Sequence, residues 1–402
     1  MYSGNAGLVP IMAGKYISYL SSSSSLFWCC NLSSFESRNG PVRFNHSRSD
    51  EFIVVVTMLK HSEISTRCPA LSNPFVSVLI RSYNRLHCVL EILEVCKAQT
   101  YNNFEVVILD QSIDDHWESH RKEIEEFDSR FRVVRSKPLG PPGARNVGVA
   151  HCRGDVILFM DDDDLPVGED WISYHAKNYA DPFCIGVSGR HIHQPNEKSR
   201  YKDAQWAYKR CLTISFFFKG RVFTGINMLK KPVQWLHGNN SSIRKSYIIK
   251  LGGWYPYVVS DHEEHSPYFK FQKVKQPGEY LMFDPKPIVL RRFDIPGGVE
   301  RRTISLHTLL VHRMQFYHWV ISTHFPVRFY GLYPFFMISC FRLATRHFLK
   351  GSRFDDIFWI RWFGNKFGKY FYIIQELVLF PVLILKFLIK PKPKWNGQVS
   401  KT

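Results

Sequence analysis

Four consecutive aspartates, Asp161 to Asp164, lie inside the stretch FMDDDDLP at residues 159–166. Two carboxylates about 4 Å apart repel by roughly 4 kcal/mol at an effective dielectric near 20. The run follows the apolar stretch DVILFM, so its charges sit at the end of a strand instead of on a solvated tail. A hard divalent cation of the Mg or Mn type takes carboxylate oxygens, and Mg commonly binds one or two carboxylates together with substrate phosphates. A cation and diphosphate site is therefore expected here. The plain alternative is a solvated acidic turn leading into EDWISYHAKNYA; a position behind a buried strand in a basic chain weighs against it. A second acidic cluster, SDHEEH, spans residues 260–265.

The elements that must position these groups alternate in type. VSVLI (76–80), EVVIL (105–109), FRVVRS (131–136), DVILFM (155–160) and CIGVSG (184–189) read as short apolar strands. Leu86, Val89, Leu90, Leu93 and Cys96 recur at helical spacing, DDHWESHRKEIEEF (114–127) reads as a charged helix, and GPPGARNVGVAHC (140–152) as a Gly/Pro turn opening a short helix. Alternating strands and helices predict an α/β fold with a Rossmann-like, mostly parallel sheet flanked by helices. Continuous apolar strands predict burial of both sheet faces. Polar clusters follow three strands: SYNR, DQS and DDDD. In open α/β sheets ligands bind at the carboxyl ends of the strands, so these clusters are expected to share one cleft.

No G-x-G-x-x-G follows the first strand and no Walker A sequence occurs, which argues against nicotinamide enzymes and P-loop phosphotransferases. Arg145, in GPPGARN, either reaches a phosphate or pairs with one of the aspartates. His237 precedes GNNSS and reads as a structural histidine; Asn239 and Asn240 read as turn-shaping residues, and Trp254 as core or pocket lining.

The formal net charge is +18, and residues 301–402 hold 16 Lys/Arg against 3 Asp/Glu, a net of +13. Nine scattered cysteines without C-x-x-C spacing argue for a reducing compartment and against structural zinc. Residues 1–70, with five serines at 21–25, read as a poorly ordered extension, and 190–235 as an irregular basic insertion.

SVLIRSYNR, FEVVILDQS, GPPGARNVGVAHCRGDVILFMDDDD and HGNNSSIRKSYIIKLGGW, in this order, resemble a family 2 glycosyltransferase of the GT-A fold over roughly residues 75–275. The resemblance implies transfer of a sugar, with inversion, from a nucleotide-diphospho-sugar to an acceptor hydroxyl. It divides the chain into a GT-A domain at 75–300, with a nucleotide-sugar half (75–190) and an acceptor half (190–300), followed by a helical, membrane-associating segment at 303–402. It maps nucleotide-sugar binding onto Ser82, Tyr83, Asn84, Asp110, Arg145 and Asp161. The metal ligands would be Asp161 and Asp163, leaving Asp162 and Asp164 accessory. The base would be Asp261, with Glu263 and Glu264 as alternatives. This chain departs from the pattern where Arg81 replaces a proline, Gln111 follows Asp110, and Ser260 stands where a glutamate is usual.

Residues 354–390 join FWIRWF to the apolar run YFYIIQELVLFPVLILKFLIK. Gln375, Glu376, Pro381 and Lys386 inside that run make helices in the membrane boundary, with Arg and Lys toward anionic headgroups, the preferred expectation over a full span. The implied partners are a nucleotide-diphospho-sugar donor, a glycan or lipid-linked acceptor and an anionic membrane surface, with no nucleic acid. The implied place is the cytoplasmic, inner face of a membrane. Two alternatives stand: a haloacid-dehalogenase-type phosphatase, which also places D-x-D after a parallel strand, and a non-catalytic glycosyltransferase-like binding protein.

Overall fold

The computed structural model describes residues 68–112, 117–193, 229–257, 263–292, 305–350, 358–389 and 392–393. Most of the N-terminal extension, most of the basic insertion and Asp261 therefore lie outside the described residues. Nine strands form one sheet: β1 (Val76–Ser82), β2 (Phe104–Asp110), β3 (Phe131–Arg135), β4 (Val156–Asp161), β5 (Asp164–Pro166), β6 (Cys184–His193), β7 (Lys231–Val233), β8 (Ser241–Arg244) and β9 (Tyr280–Arg291). Their order is β3-β2-β1-β4-β8-β6-β9-β5, with β7 also on β9. The first four strands are mutually parallel, as their alternation with helices α1 (Leu86–Lys97), α2 (Trp117–Phe127) and α3 (Gly140–His151) requires. Beyond β4, β8 pairs antiparallel with β4 and β6, β9 runs parallel to β6, and β5 returns antiparallel on β9.

Alternation along each strand explains how one sheet carries two cores. Leu79, Val107, Leu109, Ile157 and Phe159 face one layer with α3 and Trp254. Val78, Ile80, Val106, Ile108, Leu158 and Met160 face the other, with α1 and α4 (Trp171–Ala176). Neighbouring side chains on a strand point to opposite faces, so continuous apolar runs fill both.

The edge of the parallel half is fastened by one buried asparagine. Asn240 takes a positive φ of 44°, where few non-glycine residues sit. Its amide nitrogen donates to the carbonyls of Arg190 (2.9 Å) and Pro287 (3.2 Å), and its Oδ1 accepts from Trp171 Nε1 (2.9 Å). His175 in α4 completes the network. Tyr179 donates to Ser242 Oγ (2.7 Å), so the Ser242 hydroxyl proton goes to His175 Nδ1 (2.9 Å). That leaves His175 Nε2–H to donate to Asn240 Oδ1 (3.1 Å).

After β8 come α5 (Lys245–Leu251) and α6 (Ser266–Val274). Gly252 closes α5 in the left-handed region, φ 80°, which only glycine enters without strain. Following β9 the chain is helical: α7 (Leu306–Gln315), a π turn at Phe316–Ile321, α8 (Pro326–Gly331), α9 (Tyr333–Lys350) and α10 (Phe358–Ile389). A separate aromatic core of Phe316, Tyr317, Trp319, Phe329 and Phe336 joins these helices, and Phe269 of α6 enters it. The C-terminal helices are thus packed onto the sheet-bearing part of the chain.

Burial holds His175 neutral, with its pKa lowered to about 4. Its unfolded value lies near 6.5, so its contribution is complete above that pH and declines as pH falls toward 4. Wild type should lose about 3 kcal/mol through this group alone between pH 6.5 and 4. Urea midpoints measured at both pH values for wild type and His175→Gln should show the smaller drop in the variant; equal drops would exclude the linkage.

Candidate active site

Strand register brings the polar clusters together. Ser82 lies opposite Asp110 on β2, and Arg81 opposite Asp161 on β4, so the carboxyl ends of β2, β1 and β4 line up at one edge. β5 starts at Asp164, directly across from Arg291 on β9. That pairing closes the DDDD turn, and the backbone N–H of Arg292 donates to the Asp163 carbonyl at 3.0 Å.

All four aspartates are at least partly buried, with Asp164 fully so. Three arginines oppose them. Arg81 pairs with Asp161, and Arg85 pairs with Asp162 and lies 3.7 Å from Asp163. Arg291 lies 3.2 Å from Asp163, 3.4 Å from Asp164 and 3.9 Å from Asp161. Burial raises the pKa of the Asp162 carboxyl to about 7, against the opposing pull of Arg85. Burial also lifts Asp163, with Asp161 adding to the shift, and lifts Asp164 well above the usual carboxylate range. For Asp161 burial acts the same way, but Arg81 and Arg291 outweigh it and hold the carboxyl below its ordinary value.

One carboxylate oxygen each from Asp161, Asp163 and Asp164 falls within 4.8 Å of the others. Among the described residues, Asp163 Oδ1 is buried with no hydrogen-bond partner. A buried acceptor left bare costs about 1–3 kcal/mol, which a ligand there removes. This donor set fits a hard divalent cation. Asp164, which the D-x-D spacing leaves outside the pair, is the third member; Asn239 donates to its other side and fixes it.

The remaining positions divide into two groups. At the carboxyl ends of β1 and β2, Asp110 is fully buried and accepts from Ser112 N (2.9 Å), Ser112 Oγ (2.5 Å) and Arg135 (2.9 Å). Asn84 has φ 54° and donates its N–H to Ser112 Oγ at 2.8 Å. Ser82 Oγ is buried and without a hydrogen-bond partner among the described residues, and Tyr83 is half-buried beside it. Gln111 is turned inward, accepting from the Leu139 N–H at 2.8 Å.

On the other side stands the second acidic cluster. Arg145 pairs with Glu263 at 3.2 Å, not with an aspartate, and donates to the Gly238 carbonyl at 3.4 Å. A Cβ at Gly238 would come within 2.3 Å of that guanidinium, so glycine is what admits the arginine. The Arg81 guanidinium is disfavoured by burial but held charged by Asp161 and by Glu263, which links the two acidic clusters across the site. Glu264 is half-buried and its carboxyl lies well above the usual range, through burial and then through Glu263, to which it is hydrogen-bonded. Asn146 fixes the turn ahead of this pair, accepting from Trp254 N (2.8 Å) and donating to its carbonyl (2.7 Å). Trp254 is core, stacked edge-on against Phe159. His237 is structural, its ring packed on His191 and Trp235.

Sequence reading did not single out Arg81, Arg85 or Arg291 as partners of the aspartates. Arg81 and Arg85 carry a local signal, since both flank the SYN loop; Arg291 follows the apolar run IVL of β9.

D-x-D carboxylates thus lie at the parallel strand ends, and a second carboxyl pair is linked to them through Arg81. Residues 77–252 match the family described as Glycosyl transferase family 2. That segment resembles a family 2 glycosyltransferase domain, and the match favours a glycosyltransferase over the phosphatase alternative. Among curated relatives, an uncharacterized glycosyltransferase of Rickettsia felis is 34% identical over 151 residues, covering 38% of this chain and 23% of the relative. The Escherichia coli protein WfaP, a UDP-Glc:alpha-D-GlcNAc-diphosphoundecaprenol beta-1,3-glucosyltransferase, is 36% identical over 105 residues, 26% of this chain and 39% of that protein. The chain thus spans under half the length of these relatives. A solved mannosyltransferase of Pyrobaculum calidifontis, in complex with GDP-Man and Mn2+, shares 16% identity over 84% of this chain and 94% of that one, at a TM-score of 0.43, a likeness too slight to argue from.

Arg291 and a divalent cation draw on the same three carboxylates. Mn2+ titration followed by electron paramagnetic resonance should show about tenfold tighter binding in Arg291→Met and at least about tenfold weaker binding in Asp163→Asn. Unchanged affinity in both would remove the cation from this turn.

Proposed function

We propose that the chain transfers a sugar, with inversion, from a nucleotide-diphospho-sugar to a hydroxyl of a glycan or lipid-linked acceptor in cell-surface polysaccharide or glycolipid synthesis. The observation that carries this reading is that Asp161 of the carboxylate triad and Glu263 of the carboxyl pair both act on the Arg81 guanidinium at the carboxyl edge of the sheet. The segment match and the lipid-linked acceptor in the name of WfaP support the substrate class.

In this reading Ser82, Tyr83, Asn84 and Asp110 hold the nucleoside, and Asp161, Asp163 and Asp164 hold Mg or Mn. The cation, when bound, neutralises charge developing on the departing diphosphate. A carboxylate of the 261–264 turn (Asp261, Glu263 or Glu264) takes the acceptor hydroxyl proton as that oxygen bonds to the anomeric carbon and the carbon–oxygen bond to the diphosphate breaks. Attack from the face opposite the leaving group inverts the centre. Arg145 holds Glu263 in place and limits where the proton can go.

The reaction is placed at the cytoplasmic face of an anionic membrane. Helix α10 buries Tyr372, Glu376, Phe380, Leu383 and Phe387 against the other helices. Glu376, the acidic residue of the run, is turned inward to His307 at 3.0 Å. The opposite surface exposes Ile374, Leu377, Val378, Val382, Leu385 and Ile389. Its stretch Phe367–Ile389 has 23 residues and a mean hydropathy of 2.1, long and apolar enough to cross a bilayer. Its packing along the chain's own helices favours lying in one leaflet, with the basic surplus of this region toward anionic headgroups.

Nucleotide-sugars should be hydrolysed or transferred with metal-dependent release of the nucleoside diphosphate. Chelation should abolish release, and Asp163→Asn, Asp261→Asn, Glu263→Gln and Glu264→Gln should each be compared; one of the three base variants should fall by at least about a hundredfold. Full release in every variant would leave the non-catalytic alternative. In flotation with phosphatidylglycerol vesicles, Val378→Glu/Val382→Glu should lose binding that wild type shows; equal flotation would remove the membrane face.

A further inference from the structure

A second concave site lies outside the aspartate cleft, between the Gly253–Tyr255 turn, the start of α6 and the C-terminal helices. It encloses about 500 Å³. Its polar lining includes Lys270, Lys392 and His324, and its walls include Tyr255 and Trp319. Lys270 Nζ donates to the Leu251 carbonyl at 3.0 Å and Lys392 Nζ to Thr323 Oγ1 at 3.3 Å. Lys273, just behind, donates to the His324 carbonyl. These partners are neutral oxygens; among the described residues no carboxylate pairs with the three ammonium groups. Burial, followed by Lys273, Lys270 and Lys392, pushes His324 down to about 4. Isolated surface lysines are solvated and need no partner. Two that line one concavity, with Lys273 behind them and a neutral His324 between, form an anion site.

The surroundings narrow the anion. Ser266 lines the cleft, accepts from Tyr255 N at 3.0 Å and donates to the Glu263 main-chain carbonyl at 3.3 Å, so the cleft adjoins the backbone of the turn that carries the carboxyl pair. At its other end Lys392 and Pro393 follow α10, whose apolar surface ends in Leu388 and Ile389, 51% and 72% exposed. An anion bound here has that turn on one side and an exposed aliphatic surface on the other.

We propose that this cleft binds the phosphate of an amphiphilic acceptor. Its ammonium groups take the phosphate oxygens, its aromatic walls take the first part of the chain, and the rest of the chain runs toward α10. The proposal deepens the proposed function and rests on its lipid-linked acceptor. The cleft fixes which end of that acceptor meets Glu263 and Glu264.

The test uses the full chain and three probes: a short-chain alkyl phosphate, the corresponding alcohol and inorganic phosphate, with binding read by calorimetry. The alkyl phosphate should bind at least about tenfold tighter than either other probe, because charge-assisted bonds and apolar contact act together. Lys392→Met and Lys270→Met/Lys392→Met should each weaken it by about tenfold or more. Binding of a nucleoside diphosphate with Mn2+ to the same proteins should stay within about twofold of wild type, which shows that they are folded. Equal binding of the alcohol makes the cleft merely apolar, and equal binding of inorganic phosphate makes it a free-phosphate site; either overturns the proposal. So does alkyl phosphate binding that is unchanged in both variants. Alkyl phosphate binding that depends on the lysines, in a protein that binds no nucleoside diphosphate, would support this site while sinking the transferase reading.

Discussion

Like charge gathered at a buried strand end has to be balanced, and here the chain balances it with arginine. Arg81 and Arg85 flank one loop and Arg291 comes from the far end of β9, and all three meet the four aspartates at the carboxyl edge of the sheet. Two of the pairs are set by strand register: Arg81 faces Asp161 across β1 and β4, and Arg291 faces Asp164 across β9 and β5. Losing one such arginine would leave a buried carboxylate uncompensated, which in other buried pairs costs about 3–5 kcal/mol. The geometry of the turn, and with it the placement of Asp163, depends on that balance.

The frame behind the site is built with the same economy. Asn240 serves α4, β6 and the start of the β9 return through one side chain, and Asn239, its neighbour, orients Asp164. Asn146 does the equivalent for the turn that precedes the carboxyl pair. Polar groups satisfied at both ends hold loops more sharply than apolar contacts do, because hydrogen bonds are directional.

Much of this was legible in the sequence. The apolar runs ending in SYNR, DQS and DDDD gave the four parallel strands and their shared edge, because strand burial is written locally in residue type. What was not legible was pairing across long separations. Arg81 is 80 residues from Asp161 and Arg291 is 128 from Asp163, and no local pattern encodes such a meeting. Arg145 shows the same limit: its choice of Glu263 over an aspartate depends on a fold contact 118 residues away and on the missing Cβ at Gly238. Asn239 and Asn240 were readable as turn formers, but their partners come from strands that only the tertiary fold brings near. The antiparallel returns beyond β4 were equally hidden, since β8 and β5 are four and three residues long.

The arginines carry one more consequence, for the order of events in the cell. A cluster held only by a metal would have to wait for that metal before the surrounding strands could settle. Here the counter-charges are part of the polypeptide and arrive with it. The turn and the sheet edge it closes therefore fold without waiting for any cation.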